Sequence, residues 1–125
     1  YSEPLQFQSK STDRFAELAV WMQGHLHCDL SVEALAKRAC LGSRHFSRRF
    51  KDRFATTPAE FVEELRLNEA RQRLSAANNT IETVAASVGF KSADAFSRAF
   101  ERRFGVKPSS YRKHFAIERR NGVPR

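Results

Sequence analysis

Apolar residues recur along this chain at steps of three and four, in runs of helical length separated by recognisable breaks. Phe15, Leu18, Ala19, Met22 and Leu26 share one face, behind an N-cap offered by Ser11 or Thr12. Val32, Leu35, Ala36 and Ala39 make a second stripe that starts after Ser31 and is broken at Cys40, Leu41 and Gly42. A third helix starts after Ser43 and carries Phe46 and Phe50. Thr57, Pro58 and Glu60 then spell a capping box with proline at the first helical position, opening a helix that runs to about Ala77, where Asn78 and Asn79 stop it. Thr80 caps a short helix with Ile81, Val84, Ala85 and Val88 on one face, and Gly89, Phe90 and Lys91 break it. Ser92 caps the next helix and Gly105 ends it. A last helix runs from Pro108 over Tyr111 to about Ala116. The pattern predicts an all-α chain of about seven helices.

The second half of the chain copies the first. "FSRRFKDRF" from Phe46 returns as "FSRAFERRF" from Phe96. Val32, Leu35, Ala36 and Leu41 match Ile81, Val84, Ala85 and Phe90 at an offset of 49. Phe46, Phe50, Phe54, Pro58 and Phe61 match Phe96, Phe100, Phe104, Pro108 and Tyr111 at an offset of 50. Two copies fall short of a solenoid, which wants three or more, and point to a duplicated module instead. That module is a short helix, a three-residue turn and a longer helix, the pattern of a helix-turn-helix. Small Ala36 and Ala85 permit a close crossing of the two helices. An ordinary helical hairpin shares these features, and what separates the two readings is the face opposite the phenylalanines. In the third helix that face holds Arg44, Arg48 and Lys51 with Ser47 beside them, and Arg49 and Arg53 flank the apolar stripe. A solvated face would mix signs, whereas only Asp52 opposes these cations. The helix between the copies points Phe61 and Leu65, with Val62 near, to one side, and Leu67, Ala70 and Leu74 to a side ~200° away. A helix holding one module on each side requires that arrangement. Its length, ~30 Å for about twenty residues, is close to the ~34 Å between major-groove turns on one face of DNA.

Charge agrees with a polyanionic partner. There are 22 Lys and Arg against 14 Asp and Glu, a net charge of +8 and a pI near 10.2. Nucleic acid and an acidic membrane surface both fit that balance. A hydrophobic content of 41% with eleven Phe supplies a core that needs neither metal nor disulfide. Two cysteines, Cys28 and Cys40, no signal peptide and no apolar run of membrane-spanning length predict a cytoplasmic protein with free thiols and no membrane partner. The chain opens with Tyr1, which reads as a fragment that has lost an N-terminal part.

"SVEALAKRACLGSRHFSRRFKDRF" and "TIETVAASVGFKSADAFSRAFERRFGVKPSSYRKHF" closely resemble the two helix-turn-helix modules of the AraC/XylS family of bacterial transcription regulators, with "VGFKSADAFSRAFERRFGVKPSSYR" the most diagnostic segment. The resemblance covers about residues 12–115. It implies two modules joined by a long linker helix in a homeodomain-like arrangement. The divisions expected are a linker at 1–10, a first module at 11–56, the linker helix at 57–78, a second module at 79–116 and a basic tail at 117–125. It implies sequence-specific binding of double-stranded DNA by an activator-type regulator, with two recognition helices in successive major-groove turns. Base-reading positions then fall on Arg44, Ser47 and Arg48 in the first module and on Asp94, Ser97 and Arg98 in the second. Phosphate contacts fall on Ser43, Lys51, Arg66, Ser92, Arg102 and the two helix N-termini. Asp94, two residues past the Ser92 cap, also simply suits the helix dipole, and Glu101 shares the outer face with Arg98 and is placed to orient it. Effector binding and dimerisation are expected from the missing N-terminal part. The opening "YSEPLQFQSKSTDRF" is similar to the segment that follows a glutamine-amidotransferase-like domain in one branch of the family, which implies sensing of a nitrogenous metabolite by the whole protein.

Two other readings remain beside this one. The basic face can dock an acidic protein, RNA polymerase being one case. "HLHCD", residues 25–29, gathers His25, His27, Cys28 and Asp29, but zinc wants four ligands and Cys40, His45 and His114 stand at no motif spacing from them. No metal or other cofactor is expected, and with no nucleophile–base pair, phosphate loop or paired carboxylates the chain does not read as an enzyme.

Overall fold

The computed structural model describes residues 14–76 and 79–113. Its regular elements are all helices: α1 Arg14–Gln23, α2 Val32–Arg38, α3 Ser43–Phe54, α4 Pro58–Leu74, α5 Ile81–Ser87 and α6 Ala93–Phe104, with α7 over 108–113. The expected linker at 1–10, the Ser11 or Thr12 cap, the stop at Ala77 and Asn78, His114, the end of the last helix and the tail at 117–125 lie outside the described residues. The chain divides into two compact units, Tyr1–Val62 and Glu63–Arg125, with the division inside α4.

Local side chains start most of these helices. Ser31 Oγ accepts from the Ala34 amide at 3.2 Å, Thr80 Oγ1 from Thr83 at 3.0 Å and Ser92 Oγ from Ala95 at 3.1 Å. The capping box of α4 is reciprocal: the Glu60 amide donates to Thr57 Oγ1 at 3.2 Å and the Thr57 amide donates to Glu60 Oε1 at 3.3 Å. The Thr56 hydroxyl adds a third bond to the same carboxylate at 2.9 Å. That bond, then those of Thr57 and the nearby Lys51 charge, hold the Glu60 carboxyl below its ordinary 4.5.

Three boundaries differ from the pattern. Helix α1 stops at Gln23, and Leu26 reaches the core from the turn that follows, where the His25 amide bonds Met22 O at 3.0 Å. The N-cap of α3 is Gly42 rather than Ser43, and no side chain caps this helix. Ser43 is thus already helical, with its hydroxyl one position past the place from which it could cap. Helix α4 ends at Leu74 rather than near Ala77. The amides of Ser75 and Ala76 close a tighter last turn on Gln72 O and Arg73 O, each at 3.2 Å, and side chains add to it: Asn79 Nδ2 donates to Arg73 O at 3.1 Å and Arg112 Nε to Leu74 O at 3.1 Å.

The two cores repeat each other. In the first unit, α2 packs on α3, and Phe15, Met22, Leu35, Ala36, Phe46 and Phe50 are buried. In the second, α5 packs on α6, and Leu67, Ala70, Leu74, Val84, Ala85, Val88, Phe96 and Phe100 form the buried cluster, with Ile81, Phe90, Phe104 and Tyr111 against it. Ala36 and Ala85 are both buried where the short helix meets the long one. Phe46 to Phe50 is 5.6 Å between ring centres, as is Phe96 to Phe100. Phe50 to Phe54 and Phe100 to Phe104 are both 4.7 Å. The same ladder closes on Phe61 in the first unit at 5.2 Å and on Tyr111 in the second at 5.9 Å.

The turns repeat too, but with different residues. Gly89 (φ 103°) and Gly105 (φ 81°) occupy left-handed positions in the second copy, and the aligned positions of the first hold Cys40 (φ 62°) and Ala55 (φ 64°). A non-glycine residue there costs ~1–2 kcal/mol, offset by ~0.4–1 kcal/mol of chain entropy that glycine adds to the unfolded state. Cys40→Gly and Ala55→Gly are therefore expected to stabilise the protein by up to about 1 kcal/mol each. Denaturant midpoints check this. The reverse change, Gly105→Ala, meets no atom within 4 Å of its new Cβ, so its expected loss of about 1 kcal/mol isolates backbone strain.

Candidate nucleic-acid interface

Because Phe46 and Phe50 turn α3 inward, the opposite face is presented to solvent. Arg44, Arg48 and Lys51 are exposed there and Ser47 is half-buried. Among the described residues none of these three cations has a carboxylate within ion-pair distance. The flanking cations are instead spent on rings: the Arg49 guanidinium sits 5.9 Å from the Phe15 ring centre and that of Arg53 sits 4.9 Å from Phe54. Ser43 is exposed on the first turn. His45, set aside in the sequence as a stray metal-ligand type, is exposed beside Arg44. Its step of three from Arg48, about 60° on the helical wheel, puts it on this face.

Helix α6 presents a different face. Asp94, Arg98, Glu101 and Arg102 are exposed, and Ser97 is half-buried. An open cleft of about 480 Å³ brings Asp94, Ser97, Arg98 and Glu101 together with Glu82 of α5 and Lys107 ahead of α7. No ion pair joins Arg98 to Glu101 among the described residues, so the expected orientation of one by the other is not made by a direct contact. Asp94 lies in the first turn, where its charge suits the helix dipole. Ser92 is exposed with its hydroxyl oxygen committed to the Ala95 amide, and Arg66 is half-buried on α4. Arg102 is held at 3.2 Å by Glu63, and Arg103 at 2.9 Å by Glu64. Arg73 does structural work, bridging Glu69 at 2.9 Å and Ser87 Oγ at 2.9 Å.

By charge, the segment 43–54 carries Arg44, Arg48, Arg49, Lys51 and Arg53 against Asp52, a net +4. The segment 92–104 carries Arg98, Arg102 and Arg103 against Asp94 and Glu101, a net +1. The potential over the first face is therefore the more positive.

The "HLHCD" residues have other occupations. His25 stacks on Trp21 at 4.2 Å with Nδ1 2.7 Å from Trp21 O, and the Arg38 guanidinium covers the same indole at 3.7 Å. Asp29 accepts from the Ser31 amide at 2.9 Å. Among the described residues no group of three or more His, Cys, Asp or Glu is arranged to hold a metal ion, and no helix is long and apolar enough to cross a membrane.

A family model described as a helix-turn-helix domain matches residues 35–114. The chain is 42% identical over 85 residues to the HTH-type transcriptional regulator Rv1931c of Mycobacterium tuberculosis, covering 68% of this chain and 33% of that protein. It is 34% identical over 116 residues to the HTH-type transcriptional activator RhaS of Pectobacterium carotovorum, covering 91% of this chain and 41% of that protein. Among solved structures, the DNA-binding domain of AdpA, a global transcriptional factor crystallised with a target DNA, superposes with a TM-score of 0.81 at 33% identity, over 86% of this chain and 96% of that one. An AraC-type regulator from Chromobacterium violaceum superposes with a TM-score of 0.75 at 29% identity, over 86% and 96%. The chain spans between a third and about two fifths of the length of the curated relatives it matches. On the family model and these relatives, the chain belongs to the AraC/XylS-type family of helix-turn-helix transcription regulators.

Proposed function

We propose that these residues are the DNA-reading part of a bacterial transcription regulator, binding a specific double-stranded sequence with α3 and α6 laid in successive major-groove turns. One observation carries the reading: two copies of one helix-turn-helix each bury an aromatic stripe and turn a polar face outward, and on the first of these faces Arg44, Arg48 and Lys51 are exposed and make no ion pair among the described residues. Base edges are read by Arg44, Ser47 and Arg48 in one groove and by Asp94, Ser97 and Arg98 in the next. An arginine pairs bidentately with guanine, and a carboxylate accepts from cytosine N4. Ser43, Lys51, Arg66 and Ser92 serve the phosphate backbone, which fixes register without carrying sequence, and Arg102 joins them as far as its ion pair to Glu63 opens. The solved complex of AdpA with its target DNA supports this use of the fold. The relatives are longer than this chain, and effector binding and dimerisation are assigned in this reading to a further N-terminal domain. The work is done in the cytoplasm and without catalysis, since the family consists of transcription regulators rather than enzymes. None of the relatives compared supports docking on RNA polymerase or another acidic protein.

The test is a selection of bound duplexes from a random pool, followed by gel shifts against random-sequence competitor. Selected duplexes are expected to hold the protein ~10³-fold or more tighter than random ones. Equal displacement by random DNA would leave only a basic protein with no sequence preference.

A further inference from the structure

We infer that Glu63 is a positioning residue that competes with the DNA backbone for Arg102, so that this cation of the second recognition helix is held back from a phosphate. The inference rests on the DNA-binding reading of α6. Arg102 lies four residues after Arg98, on the same stripe of the helix. Its side chain is 67% exposed, yet its guanidinium sits 3.2 Å from Glu63 Oε2 on α4. A phosphate oxygen and the Glu63 carboxylate ask for the same N–H donors. An exposed ion pair of this kind is weak, so it lowers the net gain from a phosphate contact without forbidding it.

Arg103 supplies the contrast. Its partner Glu64 lies at 2.9 Å, and its guanidinium sits 5.5 Å from the Phe104 ring centre. That places Arg103 along the core side of the helix, where breaking its ion pair frees no donor for the outer face. The two carboxylates are adjacent in sequence and equal in charge, but only Glu63 faces a cation of the DNA-reading stripe. The first recognition helix has no such restraint on Arg44, Arg48 or Lys51 among the described residues.

The experiment is a mutant cycle read by salt dependence on a random-sequence duplex. Each added phosphate contact steepens the log–log slope by ~0.9. Glu63→Gln is expected to steepen it by about 0.9 and to tighten binding roughly tenfold at 0.1 M salt. Arg102→Ala added to Glu63→Gln is expected to abolish the whole gain. Glu63→Asp should stay near wild type. Glu64→Gln, which removes the same charge, should move affinity slightly and the slope hardly at all. Equal effects of Glu63→Gln and Glu64→Gln, or a Glu63→Gln gain that survives loss of Arg102, would overturn the inference by reducing it to net charge. A wild-type protein that binds no duplex would instead overturn the proposed function, and the two failures are distinct.

Discussion

Truncating Phe50 or Phe100 to alanine is expected to remove ~3–5 kcal/mol of stability. Both rings are fully buried. Phe50 lies within ring-contact distance of Phe15, Phe46, Phe54 and Phe61, and Phe100 of Phe96, Phe104 and Tyr111. Either truncation leaves a hole at the crossing of several elements, and neighbours that are themselves packed cannot collapse into it. A domain holds only ~5–15 kcal/mol in total, so a fall in melting temperature on the order of 10–20 °C should follow. The loss should appear as unfolding, with the sequence preference of the remaining folded protein unchanged. Circular-dichroism melts beside gel shifts decide it. A Phe100→Ala protein that melts like wild type yet misreads DNA would mean that the aromatic stripe and the reading face have been exchanged.

Replacing Arg44, Arg48 and Lys51 together by alanine is expected to flatten the salt slope by ~2–3 units on random-sequence DNA and to weaken binding there by two orders of magnitude or more at 0.1 M salt. These cations are exposed and none stands within ion-pair distance of a carboxylate among the described residues. Removing the same number from α6, by Arg98→Ala with Arg102→Ala and Arg103→Ala, should flatten it by only about one unit, because Glu63 and Glu64 already engage two of the three. Isotherms at several salt concentrations separate the cases, and equal slopes for the two triple variants would contradict an unequal division of affinity between the helices.

Much of this was written locally and could be read locally. A capping box is a four-residue statement, and Thr57 with Glu60 folds as its spacing says. The phenylalanine stripes needed only the helical period. The repeat alone marks two left-handed turns, because Cys40 and Ala55 align with Gly89 and Gly105. The start of α3 lies one residue ahead of the serine that the pattern offers, because glycine caps without any side-chain signature, while the following serine carries one. The state of Arg102 was beyond reach. Its partner stands 39 residues away, on another helix, and no periodicity encodes which carboxylate an exposed arginine will meet. The end of α4 depends likewise on Arg112, which is 38 residues from Leu74.

The decisive measurement is a base-by-base binding profile of the selected operator for the wild type, Arg48→Ala and Arg98→Ala, at fixed salt. Arg48→Ala is expected to lose ~1–3 kcal/mol of discrimination at one base pair. Arg98→Ala is expected to lose a similar amount at another, about one helical turn or ~10 bp away. All other positions should keep their preferences in both variants. If the two variants relax the same base pair, or neither relaxes any, α3 and α6 do not read DNA as a pair of recognition helices in successive grooves.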